Sequence, residues 1–410
     1  MNKTAMIALT AASAVISGAA AADESGIKIS KWDAAPVFTG DGWEFKIGGR
    51  VQFDYSNVDT DVSGADWSAT ELRRLRLGVS GKFGDNLKYK VELNTDSSED
   101  VNLEDGYLDW KPTGGHWSVK AGQFKTPNSL DEQTSSRFIS VLERAAFTDA
   151  FQFNRRLGVA LHTSGDKYTF MAGVFGDNVN EDAATEGFAL AARATMTPIK
   201  TETQLVHVGA SVRYRDAGDD QGDFRYRQRP VSHIPGRILS TGAIADSDVF
   251  VGAEAAGIFS RFWTAGEYGA TFADCSAAAA CADDPDFDGG YGEVGVFFGG
   301  VRTYKSGKFN RPRVDHPVTE GGAGALALVA RYDAISLNDS AVNGGSYDSY
   351  ILGADWWATK YTRLSLNLFK VDADLGASAS GLDPNFAALV AANAPKEDVK
   401  GAIVRAQFDF

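Results

Sequence analysis

The feature that most constrains this 410-residue chain is a hydrophobic period of two, held over segments of about ten residues and repeated about sixteen times. In WEFKIGGRVQFDY, Trp43, Phe45, Ile47, Val51, Phe53 and Tyr55 share one face, and Glu44, Lys46, Arg50, Gln52 and Asp54 share the other. LKYKVELN sets Leu87, Tyr89, Val91 and Leu93 against Lys88, Lys90, Glu92 and Asn94. At the C-terminus Ala402, Val404, Ala406, Phe408 and Phe410 oppose Ile403, Arg405, Gln407 and Asp409. Only a strand, whose successive side chains point to opposite faces, sorts residues this way.

The pattern predicts strands near 43–55, 70–83, 87–95, 101–111, 116–125, 155–164, 167–176, 187–197, 203–215, 249–258, 262–272, 291–303, 324–337, 347–358, 363–374 and 398–410. Their length suits a tilted strand that crosses a bilayer. The connections at 84–86, 112–115, 164–166 and 360–362 are short, whereas those at 56–69, 126–154, 216–248, 273–290 and 375–397 are long. Short turns on one side and long loops on the other are the rhythm of an outer-membrane barrel with periplasmic turns and external loops. One connection breaks it, because 304–323 is long and yet falls on the periplasmic side. A soluble β-sandwich also alternates, but it explains neither an export signal nor an even strand count. The expected fold is therefore all-β, a transmembrane antiparallel barrel of about sixteen strands.

Residues 1–22 read as a secretory signal: Lys3, an apolar stretch from Ala5 to Ile16, then small residues from Ala19 to Ala22. Residues 23–42 form a short periplasmic lead-in and 43–410 the barrel, a single domain because sheet closure needs both ends. The apolar stretch from Ala5 to Ile16 is too short to span a bilayer, and no later segment offers the ~18 consecutive apolar residues of a membrane helix. Glycine (44) and the aromatics (25 Phe, 13 Tyr, 8 Trp) are abundant and Met (4) is scarce, which favours strands and turns. The net charge of -14 argues against a nucleic-acid partner.

The remaining motifs carry little chemistry. After export, Cys275 and Cys281, the only cysteines, are placed to form a loop disulfide. Asp284, Asp286 and Asp288 in DPDFDGG match the start of a calcium loop, but Gly295 stands where its closing glutamate belongs, leaving a weak candidate beside the commoner solvated acidic loop. The GxGxxG at Gly290, Gly292 and Gly295 is followed by strand rather than helix, so no dinucleotide site is expected. His116, His162, His207, His233 and His316 lie beside no nucleophile motif, and neither an enzyme nor a cofactor is expected.

If the apolar face meets lipid, charge belongs on the other. An arginine against lipid at mid-depth costs about 2–4 kcal/mol, and one facing water costs little. In TELRRLRLGVSGKF, Leu75, Leu77, Val79 and Phe83 then face out, and Arg74, Arg76, Ser80 and Lys82 face in. Arg73 has lipid parity, tolerable at a strand end where it snorkels, or at a bulge. Arg74 and Arg76 either line a wet wall or meet an ion. By the same parity Lys46, Arg50, Lys88, Lys90, Lys120 and Arg213 are lumen candidates, as is Asp105, an acid that tunes anion binding or neutralises a neighbouring base. In FRYRQRP, Arg225, Arg227 and Arg229 alternate, so an extended segment presents all three on one side.

VNLEDGYLDW at 101–110, HWSVKAGQFKTP at 116–127 and NSLDEQTSSRFISVLERAAF at 128–147 resemble the phosphate- and polyphosphate-selective porins. GGRVQFDY, RRLRLGVSG and EGGAGALALVARYD extend the resemblance over nearly the whole mature chain. It implies a trimer of sixteen-stranded barrels whose third external loop, here 126–154, folds inward. It implies that Ser135 and Ser136 offer hydroxyls at the constriction, with Lys125 and Arg137 close by. It also implies that Arg225, Arg227 and Arg229 form a ladder descending to the constriction, the alternative being a solvated loop or one that binds lipopolysaccharide phosphates. Gln133 departs from the resemblance, standing where selective members place a lysine.

The expected function is passive diffusion of anions (phosphate, polyphosphate, chloride) through an outer-membrane porin, with lipid and lipopolysaccharide around it. The alternatives are a weakly selective general porin and, from another class, an enzyme or adhesin on a barrel scaffold.

Overall fold

Alternation over this many strands leaves no sheet edge once the first and last strands pair, and that is how the chain folds. The computed structural model describes residues 28–410 apart from 33, 62–65, 96–99, 182–186, 219–223, 278, 280, 282, 340, 341, 379, 393 and 395. The expected signal segment lies outside the described residues.

Two short strands, β1 (Lys28–Trp32) and β2 (Pro36–Gly40), precede the wall. The wall begins with β3 (Trp43–Thr60), β4 (Trp67–Phe83), β5 (Leu87–Thr95), β6 (Val101–Trp110), β7 (Trp117–Lys125), β8 (Arg155–Ser164), β9 (Tyr168–Phe175), β10 (Phe188–Lys200) and β11 (Gln204–Asp216). After β12 (Phe224–Gln228) it continues with β13 (Leu239–Phe259), β14 (Phe262–Cys275) and β15 (Asp286–Phe298). A separate hairpin of β16 (Gly300–Lys305) and β17 (Lys308–Val314) follows. The wall ends with β18 (Ala325–Asp339), β19 (Val342–Thr359), β20 (Thr362–Asp374) and β21 (Lys396–Asp409).

Setting aside β1, β2 and β12, which pair onto the sheet without forming wall, sixteen antiparallel strands remain, and β21 closes on β3 from Val399↔Thr60 to Asp409↔Arg50. The lead-in is thus not bare chain: β2 pairs with the start of β3 from Val37↔Lys46 to Gly40↔Trp43.

Parity holds along most strands: Leu75, Leu77 and Val79 are exposed on the outer surface while Arg76 is buried inside. Among the described residues several bulges interrupt it, and two of them fall at paired charges. Gln52 opposes Arg74 and Phe53 opposes Leu72, so Arg73 is the extra residue of a bulge in β4. Glu92 opposes Asp105 and Leu93 opposes Leu103, so Glu104 is the extra residue of a bulge in β6. Each bulge turns two consecutive charges into the lumen, Arg73 with Arg74 and Glu104 with Asp105. Of the two settings that suit Arg73, the chain adopts the bulge and not the strand end.

The third external loop fills the barrel. Helices α1 (Leu130–Gln133) and α2 (Ala146–Ala150) bracket it, and Leu130, Val141, Leu142, Phe147 and Phe151 are buried in one cluster with Phe250 and Phe287 of the wall. In the last external loop α3 (Pro384–Ala391) sets Phe386 against Trp67, ring centroids 5.7 Å apart.

The long periplasmic connection also turns inward. The strand expected over 291–303 stops at Phe298, because Gly299 takes φ of 74°, a left-handed turn that suits glycine. The hairpin beyond it rises inside the barrel. Arg302 Nη2 donates to the Phe138 carbonyl of loop 3 (3.1 Å), Arg193 Nη2 to the Gly307 carbonyl (2.7 Å), and Tyr304 Oη lies 2.6 Å from His207 Nδ1.

Candidate functional site: a cation-lined route through the lumen

Arginine on the inner face has two fates, and parity alone does not separate them. One set holds loop 3. Arg213 Nη2 donates to the Phe151 carbonyl (2.7 Å), Arg363 Nη1 to that of Ile139 (2.9 Å) and Arg405 Nη1 to that of Leu142 (2.8 Å). Wall carboxylates accept from the loop's amides, Glu267 from Leu130 (2.8 Å) and Asp131 (2.6 Å), Asp333 from Ala146 (3.0 Å). The loop has few backbone partners of its own, so these charge-assisted bonds satisfy groups that would otherwise be orphaned in a crowded lumen. Arg213 faces the lumen as expected, but it serves the loop and not the pore.

The other set lines three connected cavities. The outermost, about 530 Å³, is bordered by Arg156, Arg215, Arg225, Arg227 and Arg237 with Asp149 and Glu181. Phe224, Tyr226 and Gln228 are buried, so β12 turns Arg225 and Arg227 to the opposite, water-facing side. Burial, and then the neighbouring Arg237 guanidinium, lower the pKa of Arg227 and of Arg229. Arg237 itself pairs with Asp149.

A second cavity of about 250 Å³ is lined by Arg73, Arg74, Glu132, Glu143, Arg144 and Arg229. A third, about 400 Å³, is lined by Arg50, Arg74, Arg76, Lys90, Lys120, Lys125 and Lys308, by the acids Glu92, Glu104, Asp105 and Glu132, and by Ser135 and Ser136. Arg74, Glu132, Arg144 and Phe153 border both, so they stand at the neck between them.

Most bases in the central cavity have an acid. Glu92 meets Arg50 (3.2 Å), Arg76 (3.4 Å), Lys90 (3.2 Å) and, at 3.8 Å, Arg137. Glu104 pairs with Arg76 and Arg155. Asp105 joins Lys90 (2.5 Å) to Arg155 (2.7 Å), the neutralising role rather than a free acid. Lys125 meets Glu132 at 2.7 Å. Arg50 Nη1 donates to Ser136 Oγ (2.5 Å), and Ser135 Oγ accepts from the Arg137 amide (3.4 Å).

Three cations stand apart. Among the described residues Arg74, Lys120 and Lys308 have no carboxylate partner. Arg74 donates to Gln52 (3.0 Å) and Lys120 lies 4.4 Å over the Tyr107 ring. Lys308, on the inward hairpin, reaches lumen water, but enclosure by the barrel, then Lys120 and Arg193, push its ammonium down to about 8. Arg225, Arg227 and Arg229 likewise have no carboxylate partner among the described residues, and the Nε atoms of Arg225 and Arg229 are buried without a hydrogen-bond partner.

The remaining sequence candidates divide. Arg50, Arg74, Arg76, Lys90, Lys120, Lys125, Ser135 and Ser136 converge on the central cavity, with Asp105. Arg137 lines none of these cavities, and Lys46 and Lys88 sit nearer the periplasmic end, where Lys46 opposes Val37 and Lys88 opposes Lys82. Cys275 and Cys281 are joined in a disulfide. The calcium candidate is not upheld: among the described residues no three metal-type ligands converge, Asp284 accepts the Cys275 amide, and Asp286 and Asp288 lie on β15. Parity reasoning missed Glu104, concealed by its bulge, and Lys308, concealed by a connection that reads as an outside turn. Glu132, Arg144, Arg155 and Arg237 sit in or beside loops, where period-two patterning gives no signal.

The sequence matches the family model for phosphate-selective porin O and P over residues 45–410. It is 36% identical over 363 residues to an uncharacterized protein of Caulobacter vibrioides, covering 83% of this chain and 71% of that protein. It is 27% identical over 238 residues to Porin O of Pseudomonas aeruginosa, covering 54% of this chain and 53% of that one. In fold it is similar to the anion-selective porin from Comamonas acidovorans (TM-score 0.55, 13% identity, 90% of this chain and all of that one). It is also similar to OmpT of Vibrio cholerae (TM-score 0.56, 11% identity, 91% of this chain and all of that one). A closed sixteen-stranded barrel, a loop-narrowed lumen and a family match from Phe45 to the C-terminus together make this an outer-membrane porin, a member of the phosphate-selective porin O and P family.

Proposed function

We propose that this porin conducts anions in preference to cations, phosphate and short polyphosphate among them, by passive diffusion. One observation carries the reading: the cations without a carboxylate partner form a succession. Arg225 and Arg227 border the outer cavity, Arg229 and Arg74 the middle one, Arg74, Lys120 and Lys308 the central one. Always-charged guanidinium forks suit phosphate oxygens, and a series of weak sites lets an ion enter and leave. The decisive experiment is the reversal potential of a single channel under a potassium chloride gradient. A sign set by chloride is expected, and a sign set by potassium would end the anion reading.

A second reading, a weakly selective porin, is favoured by the four acids of the central cavity. It is also favoured by Gln133, whose amide Nε2 is tied to the Thr126 carbonyl at 2.7 Å and supplies no charge. Phosphate added to one side at constant chloride separates the two. Block of chloride current at sub-millimolar phosphate supports selectivity; none at tens of millimolar supports the general pore.

A further inference from the structure

The four acids of the central cavity are not equivalent. Glu92, Glu104 and Asp105 belong to the wall strands β5 and β6, and their partners include residues of that same wall: Arg50 and Arg76 for Glu92, Arg76 for Glu104, Lys90 for Asp105. They fix the shape of the lining. Glu132 instead lies in α1 of loop 3, and it is the only one of the four that also borders the middle cavity. Whatever passes from the middle cavity to the central one passes its carboxylate, while Phe153, Asn154 and Arg155 border the outer and central cavities together.

The geometry of that carboxylate is that of a bound anion. Its two oxygens take different cations, Oε1 the Lys125 ammonium at 2.7 Å and Oε2 the Arg144 Nε at 3.0 Å. Lys125 is the last residue of β7 and Arg144 lies on the far limb of loop 3, so the carboxylate bridges wall and loop across the neck. Arg144 is not saturated by it. Its Nη2 donates to the Thr134 carbonyl (2.8 Å), while its Nη1 is buried and has no hydrogen-bond partner among the described residues. Arg74, with no carboxylate of its own, lines the same neck. A phosphate-like anion at the neck would find the two partners that the carboxylate's oxygens now hold, with the unpaired Arg144 Nη1 beside them and Arg74 lining the same cavity.

We infer that Glu132 is a built-in counter-anion: it occupies the Lys125–Arg144 site in place of the permeating ion and keeps anion binding at the neck weak. The inference rests on the anion-conducting reading and adds which residue sets the affinity. A tethered carboxylate competes at a high effective concentration, so an incoming oxyanion must displace one of its two contacts before it binds. Release is correspondingly easy, because the carboxylate returns as the ion leaves. A pore built this way trades tight binding for throughput.

The test is Glu132→Gln, which keeps the side chain's size and removes its charge. In planar bilayers the sulfate concentration that halves chloride current is expected to fall about tenfold or more, because two cations are released to the ion at once. Sulfate is chosen since its charge does not change near neutral pH. The double variant Glu132→Gln with Lys125→Met is expected to return most of that shift. An unchanged half-blocking concentration in Glu132→Gln, with normal assembly, overturns the inference. Should Glu132→Gln fail to assemble, Lys125→Met alone decides: a weaker sulfate block supports a site at the neck, and an unaltered one overturns it. The wild-type reversal potential reports separately on the anion reading. A potassium-set sign in the wild type together with a Glu132→Gln shift toward chloride sinks that reading and keeps the counter-anion.

Discussion

Arg73 donates from Nε (2.9 Å) and Nη2 (2.8 Å) to the two carboxylate oxygens of Glu143, a side-on pair between a bulged wall strand and loop 3. Burial alone would raise the Glu143 carboxyl, but Arg73, with Arg405 and Arg74, holds it well below the usual carboxylate range. The pair exists because one extra residue in β4 turns toward the lumen a side chain that strict alternation would give to lipid. Arg405 Nη2 also reaches Glu143 (2.9 Å), so loop 3 is tied here to both strands flanking the barrel's closure strand, β3.

Arg73→Ala is therefore expected to destabilise the folded barrel by about 1–3 kcal/mol, the cost of leaving a buried carboxylate short of one partner. Urea unfolding in detergent measures this. Single-channel records should also become noisier as the loop gains freedom, while Arg73→Lys, which cannot pair side-on, should fall between the two.

Arg213 and Arg227 form a contrasting pair on inner surfaces. Arg213→Gln should lower stability by about 1–3 kcal/mol, because the Phe151 carbonyl loses its donor, and leave phosphate block near wild type. Arg227→Gln should do the reverse. A matching loss of block in both variants would contradict the division into loop-holding and ion-facing arginines.

The triple replacement of Arg225, Arg227 and Arg229 by alanine should weaken phosphate block of chloride current several-fold, by about 1 kcal/mol or more in apparent affinity. Block that persists at wild-type concentrations would remove the ladder as a functional element and leave it a charged vestibule.

Lys308 gives the pore a pH dependence. Its depressed pKa means the ammonium is charged below about 8 and neutral above, so its attraction for anions is present at pH 7 and lost as pH rises. Lumen water screens part of the repulsion from Lys120 and Arg193, so the loss is expected at or above pH 8. Sulfate block measured from pH 6.5 to 10 should weaken over the upper half of that range, and Lys308→Met should flatten the profile.

The inward hairpin narrows the lumen from the periplasmic side. Replacing 303–311 with two glycines should raise single-channel conductance and lower the preference for chloride over potassium, since Lys308 leaves with it. An unchanged conductance would place the narrowest point at loop 3 alone.

The alternation of Trp43–Tyr55, of Leu87–Asn94 and of the last strand was enough to specify a closed barrel, because a period of two with one apolar face against lipid has few other solutions. It also placed Arg50, Arg74, Arg76, Lys90 and Lys120 inside, since the cost of a charge against lipid acts residue by residue. Three matters were decided only by the tertiary structure. Bulges at Arg73 and Glu104 reset parity: a charge of lipid parity left Arg73 open to a strand end or a bulge, and only the pairing with the neighbouring strand chose between them. The hairpin of β16 and β17 goes up the lumen instead of hanging below it, because the partners that draw it in, Arg193, His207 and Phe138, lie about a hundred residues or more away in sequence. Last, an inward arginine becomes a pore residue or a clamp according to whether a loop carbonyl lies within reach. Arg213 and Arg74 share a face and a charge, and loop 3 alone separates their roles.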